Sequence, residues 1–230
     1  MRNSILWACL LVVFLAIPAM AQAQGVRYGG WGGVSVGPQQ IDTGDLSSNL
    51  YPIIVDFSDF QPVLGGHAYG VIAKYVVLGA RGNYVHVVED GPVSNAEMTS
   101  YNYQGELGVS IFNNEWGILF PFGGFGMVKH RLEFSDKSQP EIVEAFGTAN
   151  HLNKNGMYAV AGFSYLYALN ISEEDAAKRA LFVGGLHLGA TFEVSDEDWT
   201  DEDGDDVNRS PAYKFDTFFL LFDIGFGGGV

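Results

Sequence analysis

From Tyr101 to Ile111 the chain alternates in character at nearly every residue. Tyr101, Tyr103, Leu107, Val109 and Ile111 share one parity, while Asn102, Gln104, Glu106, Gly108 and Ser110 share the other. A period of two belongs to a strand with two different faces and argues against a helix, whose faces repeat every 3.6 residues. The split recurs from Phe182 to Val194, where Phe182, Leu186, Leu188, Ala190, Phe192 and Val194 oppose Gly185, His187, Gly189, Thr191 and Glu193. A third copy sets Met157, Ala159, Ala161, Phe163, Tyr165 and Tyr167 against Gly162 and Ser164, with Tyr158, Val160 and Leu166 weakening the polar face. Fainter matches cover Arg27–Gly37, Val63–Ile72, Tyr75–Val88, Gly117–Phe134 and Tyr213–Gly228, which brings the count to eight. In Gly117–Phe134 the faces are ambiguous, because Phe120 and Phe122 fall on one parity and Phe125 and Met127 on the other. Pro121 within it calls for a strand end or a bulge.

Each segment is about long enough to cross a bilayer as a tilted strand of roughly 9–11 residues. Beyond the N-terminal two dozen residues no stretch is apolar for the roughly 18 residues that a spanning helix needs, so only a closed barrel of strands could cross. The connections alternate in length. Long ones lie near Pro38–Phe60, Glu89–Met98, Ser135–Lys154 and Ser195–Ala212, and short ones near Ala73-Lys74, Asn113-Asn114-Glu115 and Asn170–Lys178. An up-and-down barrel has tight turns on one rim and long loops on the other, whereas a Greek-key sandwich has no reason to alternate this way. The expected fold is all-β: an eight-stranded antiparallel up-and-down transmembrane β-barrel. Acidic side chains follow the same division, with 18 of the 27 Asp and Glu residues in the four long connections.

The N-terminus reads as a secretion signal: Arg2, an apolar run from Ile5 to Ile17, then the small-x-small pattern Ala19-Met20-Ala21-Gln22-Ala23. We expect a cleaved signal peptide over 1–23 and one barrel domain over 24–230. Cleavage removes Cys9, the only cysteine, so disulfides and thiol chemistry are excluded. It also removes Arg2 and takes the formal charge from −15 to −16. A chain this acidic is a poor match for nucleic acid, whose phosphates need clustered Lys and Arg.

The runs Tyr28-Gly29-Gly30-Trp31-Gly32-Gly33-Val34-Ser35-Val36-Gly37 and Pro121-Phe122-Gly123-Gly124-Phe125-Gly126 are glycine-interleaved strands. With the signal and the eight alternating segments, they resemble the OmpA/OmpX-like family of small outer-membrane β-barrel proteins over nearly the whole mature chain. The resemblance implies an integral, monomeric barrel of the bacterial cell outer membrane. Its expected partners are outer-membrane lipids and lipopolysaccharide, the barrel assembly machinery, and an unidentified extracellular partner. Family members usually end in an aromatic residue. Here Phe218, Leu220, Phe222, Ile224 and Phe226 share a parity with the terminal Val230, but Gly227, Gly228 and Gly229 intervene.

An eight-stranded barrel is just filled by its own side chains, so the Gly and small polar faces should point inward. Arg81, Glu106, His187, Glu193 and Asp223 fall on those faces and are expected to form an interior polar network. A charge facing lipid near the midplane would cost about 2–4 kcal/mol. Tyr75, Tyr101, Tyr103, Trp116, Tyr165 and Tyr167 cluster toward segment ends, where aromatic rings sit at headgroup level. In the acidic run 196–206, Asp201, Asp203 and Asp205 form a candidate Ca²⁺ loop, since hard cations want several oxygens, though the spacing fits no complete EF-hand. No cofactor is expected beyond loosely bound Ca²⁺ or Mg²⁺. His187 with Glu193 could belong to a lipid-deacylase constellation, but Gly189 stands where such enzymes carry serine. Integral, non-enzymatic barrels with a structural or surface-interaction role through long acidic loops are the leading class. A soluble secreted or periplasmic lipocalin-like ligand-binding barrel and an outer-membrane lipid-modifying enzyme remain alternatives.

Overall fold

A computed structural model describes residues 28–41, 60–90, 95–114, 117–134, 151–171, 179–201, 203–205 and 215–229. The strands are β1 (Gly29–Ile41), β2 (Phe60–Ile72), β3 (Val76–Asp90), β4 (Asn95–Val109), β5 (Phe112–Asn114), β6 (Gly117–Phe134), β7 (His151–Asn170), β8 (Arg179–Asp196) and β9 (Thr217–Gly229). Every pairing between neighbours is antiparallel, β4 pairs β6, and β1 closes on β9. Eight strands therefore form a closed up-and-down barrel, and β5 is a short hairpin arm folded against the start of β6.

Closure sets the geometry. Stepping from strand to strand along paired residues leads from Trp31 through Tyr69, Gly79, Glu106, Gly124, Val160, Thr191 and Thr217 to Ile41. The circuit returns to β1 at residue 41 rather than 31, a stagger of 10 residues. Such a shear tilts the strands and leaves an interior that side chains can fill.

The faces follow the parity read from sequence. Asn102, Gln104, Glu106 and Ser110 are buried inside, while Tyr101, Tyr103 and Leu107 are exposed. The ambiguity in β6 resolves without a phase change: Phe120 and Phe122 are buried, Phe125 and Met127 are exposed. Pro121 needs no bulge. It falls between the residues that pair β5, which end at Leu119, and those that pair β4, which begin at Phe122, so its missing N–H interrupts neither ladder.

The apolar distribution is inverted relative to a water-soluble barrel. Among the described residues, 31 large apolar side chains are exposed and 23 apolar ones are buried. The exposed set includes Phe125, Phe163, Leu188, Phe192, Phe222 and Phe226 from four strands. A lipocalin-like barrel needs the reverse, an apolar lumen and a polar exterior, so that alternative is withdrawn.

One connection departs from the expected alternation. β3 runs to Asp90 and β4 begins at Asn95, so most of the stretch Glu89–Met98 is paired strand and only 91–94 joins the two. The ladder continues because backbone pairing does not depend on hydropathy, and Glu89 and Glu97 simply extend it beyond the apolar belt. Most of the other three long connections, residues 42–59, 135–150 and 206–214, lies outside the described set, as do the signal segment and Trp116.

At the opposite rim, β2 and β3 are joined by a type I′ turn in which Tyr75 N donates to Ile72 O at 3.2 Å. Its central residues, Ala73 and Lys74, take φ of 52° and 71°. A left-handed conformation costs a residue with a Cβ about 1–2 kcal/mol, and Asn-Gly is the pair this turn favours. Replacing Ala73-Lys74 by Asn-Gly is therefore expected to stabilise the barrel by about 1 kcal/mol after the extra chain entropy of glycine. The check is a rise in the urea midpoint of vesicle-inserted protein, and an unchanged or lower midpoint counts against strain at this turn.

Candidate functional site: a buried polar cluster in the barrel lumen

The lumen is layered. Near the turn rim Trp31, Val71, Val77, Ile118, Leu166 and Leu181 are buried together, and toward the loop rim Val63, Val85, Val128, Tyr158 and Phe215 close a second apolar layer. Between them lies a charged band. Period two aims alternate residues of every strand at the axis, and the stagger brings Ser35 of β1, His67 and Tyr69 of β2, Arg81 of β3, Glu106 of β4, His187 of β8 and Asp223 of β9 to one level.

Arg81 is the hub. Its Nη1 and Nη2 donate to Asp223 Oδ1 and Oδ2 at 3.0 and 2.8 Å, a two-pronged pair of the kind that matches guanidinium to carboxylate geometry. Nη1 also donates to Ser35 Oγ at 2.6 Å, and Nη2 to the Tyr69 hydroxyl at 3.2 Å. On its other side Nε lies 3.8 Å from Glu106 Oε1, and Tyr69 donates to Glu106 Oε2 at 2.7 Å. Gln104 Nε2 donates to Glu106 Oε1, and Gln104 Oε1 accepts from the Tyr158 hydroxyl at 3.0 Å, which carries the network toward the loop rim. His67 Nδ1 sits 2.9 Å from Ser35 Oγ and 3.5 Å from Asp223 Oδ1. His187 Nε2 lies 3.4 Å from Glu106 Oε1, its ring stacked between Phe122 and Phe219 at centroid distances of 4.3 and 5.5 Å.

Two carboxylates thus face one guanidinium with every member almost fully buried, Arg81 at 2% exposure. A buried charge is tolerated only when paired and hydrogen-bonded, and the polar partners here are supplied by six strands. Close backbone approach helps to hold the arrangement. The Tyr69 ring lies over Gly79 of the next strand, where a Cβ would overlap it, and Trp31 stacks on the same ring at 5.5 Å.

Four of the five residues expected in the interior network are brought together: Arg81, Glu106, His187 and Asp223. Glu193 is not among them. It sits half-buried near the loop end of β8, where its Oε2 accepts from Phe215 N at 3.2 Å. The pairing shift between Met157 and Tyr158 opposite lets an extra residue, Val194, bulge next to it. His187 and Glu193 therefore do not share a site. Sequence parity missed His67, Tyr69 and Tyr158, because β2 mixes apolar and polar residues on both faces and Tyr158 shares its face with Val160 and Leu166. Gln104 carried the readable signal, lying opposite a tyrosine-rich face.

Serine-histidine proximity does occur but leads nowhere chemically accessible. Ser164 faces His187 across the β7–β8 pair, yet its hydroxyl donates to Leu186 O at 3.4 Å. Ser100 Oγ lies 2.7 Å from His130 Nδ1, and both are about 1% exposed. Among the described residues no group of three or more His, Cys, Asp and Glu side chains is arranged to hold a metal ion. Asp201 Oδ1 accepts from the backbone N–H groups of Asp203 and Asp205 at 3.0 and 2.9 Å, so that carboxylate closes its own turn.

No family model and no curated protein matches the chain. Several solved structures are similar to it. Ail, the attachment invasion locus protein of Yersinia pestis, shares 10% identity at a TM-score of 0.46, covering 89% of this chain and 99% of that one. The N-terminal β-barrel domain of Pseudomonas aeruginosa OprF shares 10% at 0.39, covering 89% and 99%. The outer membrane protein OprG of the same organism shares 13% at 0.33, covering 92% and 99%.

Proposed function

We propose that the chain is an integral β-barrel of the bacterial outer membrane, monomeric and non-enzymatic, acting through the long acidic connections on one rim rather than as an open diffusion pore. The carrying observation is the inversion of polarity, with a belt of exposed apolar side chains around a charged lumen. In water such a belt would drive aggregation, whereas in a bilayer it is the ground state, because a closed barrel leaves no strand edge unpaired in hydrocarbon. The loop-borne role rests on the concentration of acidic residues there and on the filled lumen, in which the large side chains Tyr69, Phe120, Tyr158, His187 and Phe219 are buried and oppose passage of solutes.

The test is cell fractionation together with gel mobility of heated and unheated protein in detergent. Recovery with the outer membrane and a mobility shift on heating are expected. A soluble periplasmic protein of constant mobility overturns the reading. Swelling of proteoliposomes in small sugars at porin-like rates would overturn the closed-lumen part alone.

A further inference from the structure

The exterior of the barrel is not uniformly bulky. Along paired residues of β2, β3, β4 and β6, one rung reads Ala68, Ala80, Gly105, Phe125 and the next toward the loop rim reads Gly66, Gly82, Tyr103, Met127. The small residues make the floor of a groove of about 1170 Å³ on the membrane face, and Tyr103, Phe125 and Met127 wall it. One rung higher stand Tyr84, Tyr101, Lys129 and Asn155. Tyr84 and Tyr101 pack at 5.2 Å between centroids, as aromatic side chains do at headgroup level.

Lys129 is exposed at the head of this groove, and among the described residues it forms no ion pair. The next outward cation on β6, Arg131, is already engaged by Glu133 and lies 3.4 Å from His151 Nδ1. Glu197 lies at the same end, but its carboxylate accepts from Asn155 Nδ2 at 3.2 Å. The result is an apolar trench with an open ammonium where the hydrocarbon ends, on the loop-rim side of a strongly acidic protein.

We infer that this groove seats an anionic glycolipid of the leaflet on the loop-rim side, with an acyl chain lying over Ala68, Ala80, Gly82 and Gly105 and a sugar-borne phosphate on Lys129. The chemistry is that of an amphiphile. Small residues let a chain lie close to the backbone and gain dispersion contacts, and a lysine at headgroup depth supplies a point charge for phosphate. The inference rests on the membrane reading above.

The test titrates detergent-solubilised full-length protein with bisphosphorylated lipid A, dephosphorylated lipid A or phosphatidylglycerol, and counts bound lipid by native mass spectrometry. Bisphosphorylated lipid A is expected to bind one per barrel, about tenfold tighter than phosphatidylglycerol. Lys129→Ala weakens it about fivefold, the effect of one basic side chain at an anionic surface, and Lys129→Arg restores it. Gly105→Leu fills the trench and weakens both lipid A forms. A Cβ at Gly105 meets nothing within 4 Å, so this variant is compatible with folding. Glu197→Gln, which removes a competing carboxylate, tightens binding of the phosphorylated form. Unchanged binding in Lys129→Ala and Gly105→Leu, or equal affinity for phosphatidylglycerol, overturns the inference. The heat-dependent mobility of each sample separates the two failures. If the shift is lost in the wild-type protein, the membrane reading fails. If it is kept while lipid preference is absent, only the groove assignment fails.

Discussion

Replacing Arg81 by methionine is expected to destabilise the folded barrel by about 3–5 kcal/mol, the cost of stranding buried charge when one partner of a buried pair is removed. The reason lies in the count of charges. Arg81 is the guanidinium shared by Asp223 at 2.8 Å and Glu106 at 3.8 Å, and all three side chains are at most 1% exposed. Without it Asp223 and Glu106 keep hydrogen-bonding neighbours such as Tyr69 and Gln104 but lose the guanidinium they share. Lysine should recover part of the loss, since an ammonium restores charge but cannot make the two-pronged contact to Asp223. The triple variant Arg81→Met, Glu106→Gln, Asp223→Asn should recover most of it, because a neutral, hydrogen-bonded cluster leaves no charge stranded at that level of the lumen. Urea unfolding in lipid vesicles reads all three variants. A loss below about 1 kcal/mol for Arg81→Met would show that water reaches the cluster and screens it.

Leu188→Arg is the second large effect, expected to cost about 2–4 kcal/mol in vesicles. Leu188 sits midway along the apolar face of β8, half-exposed, between Phe163 of β7 and Leu220 of β9. On a water-facing strand an arginine at such a position would be close to neutral. In hydrocarbon it must snorkel or drag water inward. Leu188→Ala serves as the control, since it removes apolar contact without adding charge and should cost much less. Equal stability of the arginine variant and the wild-type protein in vesicles would place this face outside the bilayer and remove the ground for the membrane reading.

These two positions differ in how far sequence could reveal them. Leu188 was legible as a member of the apolar face Phe182 to Val194, because side-chain alternation is a local property carried by residues two apart. The same is true of Asn102, Gln104 and Glu106, whose inward direction follows from the tyrosines beside them. β2 was not legible in this way. His67 and Tyr69 point inward from a strand whose outward face includes Gly66, Ala68 and Gly70, so neither face stands out. The connection between β3 and β4 is shorter than its sequence suggests for a related reason: acidic residues resemble a loop, yet Glu89 and Glu97 remain in register because the ladder is made by backbone groups.

The sequence by itself determined an all-β chain with two-faced strands, too little continuous apolar length after its N-terminal segment for a spanning helix, and a strong acidic bias in most of its longer connections. Only the tertiary structure decided that Arg81 meets Asp223, 142 residues away, and that His67 and His187 share one cluster. It also decided that Phe120 and Phe122 are lumen residues and that four strands leave a trench ending at Lys129. The physical reason is that alternation says which way a side chain points but not at what height. Height is set by the register of every ladder, summed around eight strands and constrained by the closure of β1 on β9.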